Sequence, residues 1–285
     1  MITVPSCAKI NLHLRLLRKR KDGFHDLETI FQEIDLCDQL HFDVRPGSIS
    51  VNGDAQTLPS EEDNLVYKAA VLLSRKKRKL PGCRIHLDKK IPIGAGLGGG
   101  SSNAAATLKQ LNNLWNLNLS QKDLSHMALQ LGSDVPFFLL GGTAIAYGRG
   151  EELTRLSCRP DYTGVLVYPN FGVSTAWAYE NNTFDLTKST KNTKFIDYKD
   201  INDPALWPTI FCNDLEPAVY KRFPVLSTIH GALLKEGAFY SRMSGSGSSI
   251  FGLFFDPMVA KSAREHLCKD FTTFIFRPVY KAGAG

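Results

Sequence analysis

A run of glycine and serine is the stretch of this sequence whose residue types point most directly to chemistry. It consists of Pro92, Ile93, Gly94, Ala95, Gly96, Leu97, Gly98, Gly99, Gly100, Ser101 and Ser102. The residues that follow place Ala104, Leu108 and Leu111 on one stripe, which predicts an amphipathic helix. Glycines let backbone N–H groups approach a ligand, and a helix N-terminus favours negative charge. The segment is therefore predicted to hold phosphate rather than to act as a flexible linker.

The same segment contains the G-x-G-x-x-G pattern of dinucleotide-binding folds, at Gly94, Gly96 and Gly99. In those folds the glycines follow a buried parallel strand, whereas here Pro92 and two lysines intervene. The acidic residue expected about 20 positions later would be Asp123, which the sequence predicts as a helix cap. The P-loop and protein-kinase signatures do not occur in the sequence. The context therefore argues against these three nucleotide-binding classes.

Two further positions could bring reactive side chains to a bound phosphate. Lys9 and Asn11 alternate with Ile10 and Leu12, which predicts a strand with both polar side chains on one face. Asp134 is a single carboxylate among apolar residues, and such a group requires a cationic or hydrogen-bonding partner. The alternatives are that Lys9 is an ordinary surface lysine and that Asp134 is a turn residue.

A second glycine and serine segment, MSGSGSS, occupies residues 243–249 and precedes an apolar strand pattern. A hairpin turn is one interpretation of it. Two such segments in different halves of one chain also suggest a ligand held between the halves.

The elements that must position these residues alternate between strand and helix patterns. Apolar residues with period two predict strands in the first 45 residues, and three segments after residue 63 predict helices. The strands and helices do not alternate strictly, which favours two α+β units over a parallel doubly wound sheet. We place the domain boundary near Glu152, which predicts domains at residues 1–152 and 153–285.

Length and composition exclude several classes of protein. The 285 residues are 43% hydrophobic and 22% charged, which is typical of a globular chain and not of a disordered or fibrous one. The net charge of +6 is concentrated in two basic runs, residues 15–21 and 75–79, without the interleaved aromatics of nucleic-acid sites. No apolar run approaches the length of a membrane span. The six cysteines are widely spaced, so we expect reduced thiols and a cytoplasmic protein.

Three of these segments, residues 8–11, 92–106 and 243–249, resemble the three motifs of the GHMP small-molecule kinases. Residues 22–25, 27–29, 62–65 and 132–136 are similar to the branch of that family whose substrate is 4-diphosphocytidyl-2-C-methyl-D-erythritol, in the non-mevalonate route to isoprenoid precursors. The resemblance implies an ATP-dependent kinase that phosphorylates the 2-hydroxyl of this substrate. It also implies a two-domain α+β fold, with an N-terminal domain like the second domain of ribosomal protein S5 and a ferredoxin-like C-terminal domain.

The resemblance further implies which residues carry catalysis and ATP binding. Asp134 would accept or orient the proton of the substrate hydroxyl, and Lys9 would keep Asp134 ionised. The residues from Pro92 to Ser102 would surround the ATP phosphates. Asn64 and Lys89 match positions near the adenine. Mg²⁺ would be held mainly by phosphate oxygens, and its protein ligands are left open.

On the substrate side, His25 would read the edge of the cytosine, and Phe24 and Tyr179 would stack on its two faces. Phe24 replaces the family's usual tyrosine. The remaining expected substrate contacts are Asn11, Thr175, Ser244 and Gly245. We expect a small-molecule substrate and neither a nucleic-acid nor a membrane partner. Two alternatives stay open, another GHMP kinase acting on homoserine, mevalonate or a sugar, and a non-catalytic protein that binds nucleotides or RNA.

Overall fold

The computed structural model describes residues 1–53, 60, 62–76, 81–182 and 200–281. Its chain divides into two compact units, each assembled from separate stretches of sequence. The first unit comprises Met1–Ala8, Leu36–Ile93 and Gly98–Leu140, and the second comprises Lys9–Asp35, Gly94–Leu97 and Gly141–Gly285. These units follow contacts in space, so a boundary near Glu152 in the sequence stays a prediction. Residues 77–79 of the second basic run lie outside the described residues.

The first unit combines strands with four helices in its described part. The strands are β3 (Ile49–Gly53), β4 (Pro81–Asp88), the beginning of β1 (Ile2–Lys19) and the end of β2 (His25–Pro46). The helices are α1 (Leu65–Ser74), α2 (Gly99–Leu114), α3 (Gln121–Leu131) and α4 (Val135–Leu140). Strand β4 pairs antiparallel with the Gln39–Pro46 part of β2 and parallel with β3.

Local sequence signals mark the starts of α1 and α3 in the first unit. Asn64 precedes α1 and its side chain accepts a hydrogen bond from the N–H of Val66. Ser120 and Asp123 form a reciprocal capping box at the start of α3, as predicted. Helix α2 buries Ala104, Leu108 and Leu111, which confirms the predicted apolar stripe.

The second unit contains a four-stranded antiparallel sheet with the strand order β10–β7–β9–β8. Its strands are β7 (Thr163–Tyr168), β8 (Tyr240–Met243), β9 (Ile250–Phe254) and β10 (Thr272–Phe276). Helices lie between the first and second and between the third and fourth of these strands along the chain, which is the ferredoxin-like arrangement. In the described part of the chain they are α5 (Thr175–Glu180), α6 (Trp207–Ile210), α7 (Glu216–Arg222), α8 (Pro224–Lys235) and, after β9, α9 (Pro257–Leu267).

The remaining strands of the second unit carry the first sequence motif. The first half of β2, at residues 29–32, pairs antiparallel with β5 (Thr143–Tyr147), and β5 pairs with β6 (Glu152–Arg155). Strand β1 pairs with β2. The core of the four-stranded sheet includes Val165, Leu226, Ile250 and Ala260, all fully buried. Among the described residues, no helix is long and apolar enough to cross a bilayer.

The expectation that all six cysteines are free thiols is wrong. Cys7 on β1 and Cys37 on β2 form a disulfide within the first unit, with Cα atoms 3.9 Å apart. The other four cysteines are free. The error arises because cross-strand neighbours can be 30 residues apart in sequence, a separation that cysteine spacing alone does not interpret.

Candidate active site

Lys9 lies inside the second unit rather than on its surface. The residue is 3% exposed, and its ammonium donates hydrogen bonds to Oδ1 of Asn11 at 2.5 Å and to the carbonyl of Gly96 at 3.0 Å. The ammonium also lies 5.3 Å from the centre of the Phe31 ring. The predicted common face of Lys9 and Asn11 is confirmed, and the surface alternative for Lys9 is excluded.

Thr29 on β2 completes a chain of hydrogen bonds behind Lys9. Nδ2 of Asn11 donates to Oγ1 of Thr29 at 2.8 Å, and that hydroxyl donates to the carbonyl of His13 at 2.5 Å. Both amide atoms of Asn11 are therefore used, and the orientation of its oxygen toward Lys9 is determined by these partners. Thr29 belongs to a quoted motif, but no role was predicted for it.

The 243–249 segment connects the antiparallel strands β8 and β9, so the hairpin interpretation is correct, and it also reaches Lys9. Oγ of Ser244 donates to the carbonyl of Gly96 at 2.9 Å. A Cβ added to Gly245 would lie 3.4 Å from the Lys9 ammonium. Nδ2 of Asn213, which sequence reasoning missed, donates to the carbonyl of Gly245 at 2.8 Å.

Gly96 is the point where the first, second and third motifs meet in the second unit. Its φ is +78°, and an added Cβ would lie 2.0 Å from the carbonyl oxygen of Ser244. No side chain fits in that space, so glycine is required by close approach as well as by backbone conformation.

The second half of the glycine-rich segment begins α2 in the first unit. Gly98 is the N-cap of α2 with φ +67°, and it carries no side chain to accept from the helix amides. The first N–H groups of a helix have no partner within the helix. The start of α2 is therefore a set of backbone donors suited to an anion.

The two residues expected near the adenine both have structural partners in the first unit. Oδ1 of Asn64 caps α1 through the N–H of Val66. The ammonium of Lys89, whose side chain is 8% exposed, pairs with Asp38 and lies 3.4 Å from Oδ1 of Asn103. Asp38 was not predicted as part of any site.

Asp134 lies on the turn between α3 and α4. Gly132, which is the C-cap of α3, and Ser133 precede it on this turn. The N–H of Val135 donates to the carbonyl of Gly132 at 3.2 Å and closes this turn. As a residue, Asp134 is half-buried. Asp134 belongs to the first unit and Lys9 to the second, so their action as a pair stays a prediction.

The residues expected to hold the base lie in two ring contacts of the second unit. The rings of His25 and Tyr179 have centroids 5.7 Å apart. Phe24 is 53% exposed and faces the guanidinium of Arg149, 5.0 Å from the ring centre. Burial, with a smaller contribution from Lys19, lowers the pKa of His25, which favours the neutral imidazole. Arg149 was not predicted as part of any site.

Thr175 is the first residue of α5, and its hydroxyl lies 2.9 Å from the hydroxyl of Ser246. This contact links α5 to the 243–249 segment within the second unit. Thr175 therefore lies beside the segment that contains Ser244, and the substrate contacts expected of these two residues stay a prediction.

Comparison with known proteins places this arrangement in a family. Residues 64–142 match the N-terminal domain of the GHMP kinases, and residues 197–273 match their C-terminal domain. A solved structure of 4-(cytidine 5'-diphospho)-2C-methyl-D-erythritol kinase is 32% identical and covers 98% of this chain and 100% of its own, with a TM-score of 0.82. A homoserine kinase from Cytophaga hutchinsonii, 19% identical with a TM-score of 0.74, covers 98% of this chain and 94% of its own and shares the fold.

Two curated relatives are named 4-diphosphocytidyl-2-C-methyl-D-erythritol kinase. The protein from Pelotomaculum thermopropionicum is 44% identical, over 93% of this chain and 92% of its own length. That from Chlorobium chlorochromatii is 41% identical, over 94% of this chain and 93% of its own length. The expected two-domain α+β fold is confirmed. The chain belongs to the GHMP kinases and, among them, to the 4-diphosphocytidyl-2-C-methyl-D-erythritol kinase family.

Proposed function

We propose that this chain transfers the γ-phosphoryl group of ATP to the 2-hydroxyl of 4-diphosphocytidyl-2-C-methyl-D-erythritol, a step toward isoprenoid precursors. The observation that carries the proposal is the buried Lys9 ammonium, held by Asn11 and by the carbonyl of Gly96 in the glycine-rich segment. Relatives with this name at more than 40% identity, and the ATP dependence of GHMP kinases, support it. A GHMP kinase for homoserine or mevalonate is disfavoured, because the homoserine kinase resembles the chain in fold alone.

Lys9 and Asp134 are the proposed catalytic residues. The substrate 2-oxygen attacks the γ-phosphorus of ATP, the bond from that phosphorus to the β,γ-bridging oxygen breaks, and ADP leaves. The hydroxyl proton passes to Asp134, or Asp134 orients the hydroxyl and the proton passes to an oxygen of the transferred phosphoryl group. Asn11 and Thr29 keep the Lys9 ammonium in place for its proposed part in catalysis.

The residues from Pro92 to Ser102 are the proposed phosphate site. The backbone N–H groups at the start of α2 donate to phosphate oxygens, and Gly98 leaves that approach open. Asn64 retains its amide N–H groups for a base because only its oxygen caps α1. The Lys89 ammonium has three N–H groups, and the one that faces neither Asp38 nor Asn103 would donate to the adenine.

Magnesium is expected to be held mainly by phosphate oxygens. Within the described ranges, no three His, Cys, Asp or Glu side chains are grouped as metal ligands. Backbone N–H groups in the glycine-rich segment suit phosphate and not a cation. Mg²⁺ bound to the nucleotide would neutralise phosphate charge during transfer.

The substrate's base is proposed to lie at His25. The imidazole would hydrogen-bond to the cytosine edge while Tyr179 and Phe24 stack on the ring. Arg149 would add a cation over Phe24. Asn11, Thr175, Ser244 and Gly245 would contact the remaining polar groups of the substrate.

The test is ADP release by the purified protein with a set of acceptors. We expect release with the cytidine diphosphate conjugate and none with free methylerythritol phosphate, homoserine, mevalonate or galactose. ADP release with one of the other acceptors alone would move the chain to another activity of the superfamily. ATP binding without turnover on any of them would support a non-catalytic nucleotide-binding protein.

A further inference from the structure

Asp38 is a completely buried carboxylate in the first unit that the proposed mechanism does not use. It lies on β2 and is 0% exposed. One oxygen accepts hydrogen bonds from the N–H groups of Lys90 and Ile91, both at 2.8 Å. The other oxygen accepts from the Lys89 ammonium and from Nδ2 of Asn103 at 2.9 Å.

Four donors, one of them cationic, explain how this carboxylate can be buried. A buried carboxylate is costly unless it is paired and hydrogen-bonded, and Asp38 meets both conditions. The same contacts impose geometry, because without the carboxylate its four donors would face each other with no acceptor between them.

The donors come from both sides of the glycine-rich segment. Lys89, Lys90 and Ile91 directly precede Pro92, whereas Asn103 directly follows Ser102 on α2. Nδ2 of Asn103 also donates to Oγ of Ser6 at 2.9 Å, and that hydroxyl donates to Oγ of Ser102 at 2.7 Å. The Asp38 carboxylate therefore binds both the residues that precede the glycine-rich segment and the residue that follows it.

The two ends are packed closely where Asp38 holds them. A Cβ added to Gly99 would lie 2.9 Å from a methyl carbon of Ile91 and 3.2 Å from the Lys89 ammonium. The first turn of α2 therefore lies against the residues that precede the segment. A change in the position of residues 89–91 would change the position of the α2 N-terminus.

We propose that Asp38 is a positioning residue for ATP: it sets the spacing of the two ends of the phosphate segment and orients the Lys89 ammonium toward the nucleotide. This inference rests on the proposed ATP site at residues 92–102. It assigns Asp38 an effect on nucleotide affinity and none on recognition of the cytidine substrate, which the proposed function places on other residues.

Asp38→Asn is the direct test because it keeps the size of the side chain. The amide has one oxygen, so either the N–H groups of residues 90 and 91 or the Lys89 and Asn103 donors meet an NH₂ group. We expect the Kd of a nonhydrolysable ATP analogue and the KM for ATP to rise by roughly 10- to 100-fold. The KM for the cytidine conjugate and kcat at saturating ATP should stay within about threefold, since the interaction is made with bound nucleotide in ground and transition state alike.

Glu33→Gln is the matched control. Glu33 is a buried carboxylate of the second unit that also accepts from a backbone N–H, that of Gly142 at 2.7 Å, and pairs with Lys281. It should lose stability in thermal unfolding without a change in the KM for ATP. If Asp38→Asn does not fold, Asn103→Leu removes one donor at the exit of the segment and should raise the KM for ATP selectively.

Unchanged affinity for the ATP analogue in folded Asp38→Asn, or equal rises in both KM values, would overturn the proposal. If Asp38→Asn does not fold, unchanged affinity of Asn103→Leu for the analogue, or equal rises in its two KM values, would overturn the proposal. Gly98→Val separates this failure from failure of the ATP site itself. If Gly98→Val loses the analogue and Asp38→Asn does not, the ATP site stands and the role of Asp38 is wrong; if neither loses it, the assigned ATP site is wrong.

Discussion

Lys9 illustrates which features of the site can be predicted from single residues and which cannot. Lysine is rarely buried, and alternation alone predicted that Lys9 and Asn11 share a face. The acceptor at Gly96 lies 87 residues further along the chain, and Thr29 lies 18 residues beyond Asn11. Partners that depend on the pairing of distant segments leave no local pattern in the sequence. Asp38 and Arg149 were missed for the same reason.

Asp134→Asn should lower kcat by about two to four orders of magnitude, the usual contribution of a positioned general base. The amide keeps the shape of the side chain but neither accepts the hydroxyl proton nor carries charge. Binding of a nonhydrolysable ATP analogue, measured by calorimetry, should be unchanged.

The matched control for this change is Asp123→Asn, which alters an exposed capping residue of α3 in the same unit. It should cost some stability and leave kcat as in the wild type. Turnover of folded Asp134→Asn at the level of this control would remove Asp134 from the mechanism.

His25→Ala should reduce kcat/KM for the cytidine conjugate by the equivalent of about 1 to 3 kcal/mol, because a hydrogen bond to the base and the contact with Tyr179 are lost. Phe24→Ala should lose a similar amount in stacking. The KM for ATP should not change in either variant. Wild-type protein should prefer cytidine over uridine, and His25→Ala should not. Equal discrimination by wild type and His25→Ala would show that His25 does not read the base.

His13 should make stability depend on pH. Burial lowers the pKa of His13, and Nδ1 already accepts from the N–H of Cys212 at 3.1 Å, so a second ring proton would displace that bond. The unfolded chain takes up the proton near the ordinary pKa of about 6.5, whereas the folded chain takes it up only at lower pH. This contribution to stability is therefore present above about pH 6.5 and lost as pH falls toward the folded pKa.

Urea unfolding of the wild type and His13→Gln at several pH values measures this dependence. The wild type should lose up to about 1.4 kcal/mol per pH unit more than the variant below pH 6.5. The two proteins should have the same slope between pH 7.5 and 8.5. Parallel curves over the whole range would contradict a neutral, buried His13.

At the scale of elements, helices were predicted better than strands. The apolar stripe of α2 and the Ser120–Asp123 capping box are local patterns, and both are confirmed. Strands β1 and β2 are longer than the alternation predicts. Asp38 interrupts the apolar pattern of β2 near its centre, but four donors satisfy it there. A polar residue inside a strand is therefore no sign of a strand end when distant groups supply its partners.

Gly98→Val tests the glycine-rich segment as an element. The branched side chain blocks the approach of phosphate to the α2 amides, and a positive φ costs a residue with a Cβ roughly 1–2 kcal/mol. We expect cooperative unfolding at reduced stability and no measurable binding of the ATP analogue in calorimetric titration.

Gly47→Val controls for backbone strain, because Gly47 also has a positive φ, +120°, and an added Cβ meets nothing within 4 Å. This variant should lose stability but bind the analogue as the wild type does. Retained binding in Gly98→Val would mean that the segment is only a connector.

At the scale of the whole molecule, the motifs indicated the two-domain kinase fold and the family comparison confirmed it. The sequence did not predict which segments form each unit, because segments far apart in the chain belong to the same unit. The Cys7–Cys37 disulfide was missed for the same physical reason. Because this disulfide is present, the cysteines no longer support the expectation of a cytoplasmic protein.

The site of phosphorylation on the substrate tests the proposed function most directly. Wild-type protein with ATP, Mg²⁺ and the cytidine diphosphate conjugate should form one ADP per molecule of product, and phosphorus NMR should show a new monophosphate coupled to the 2-carbon of the methylerythritol unit. Asp134→Asn should form this product at a rate lower by about two to four orders of magnitude. A phosphate on another oxygen, or ADP release that is the same without the conjugate, would contradict the proposed activity.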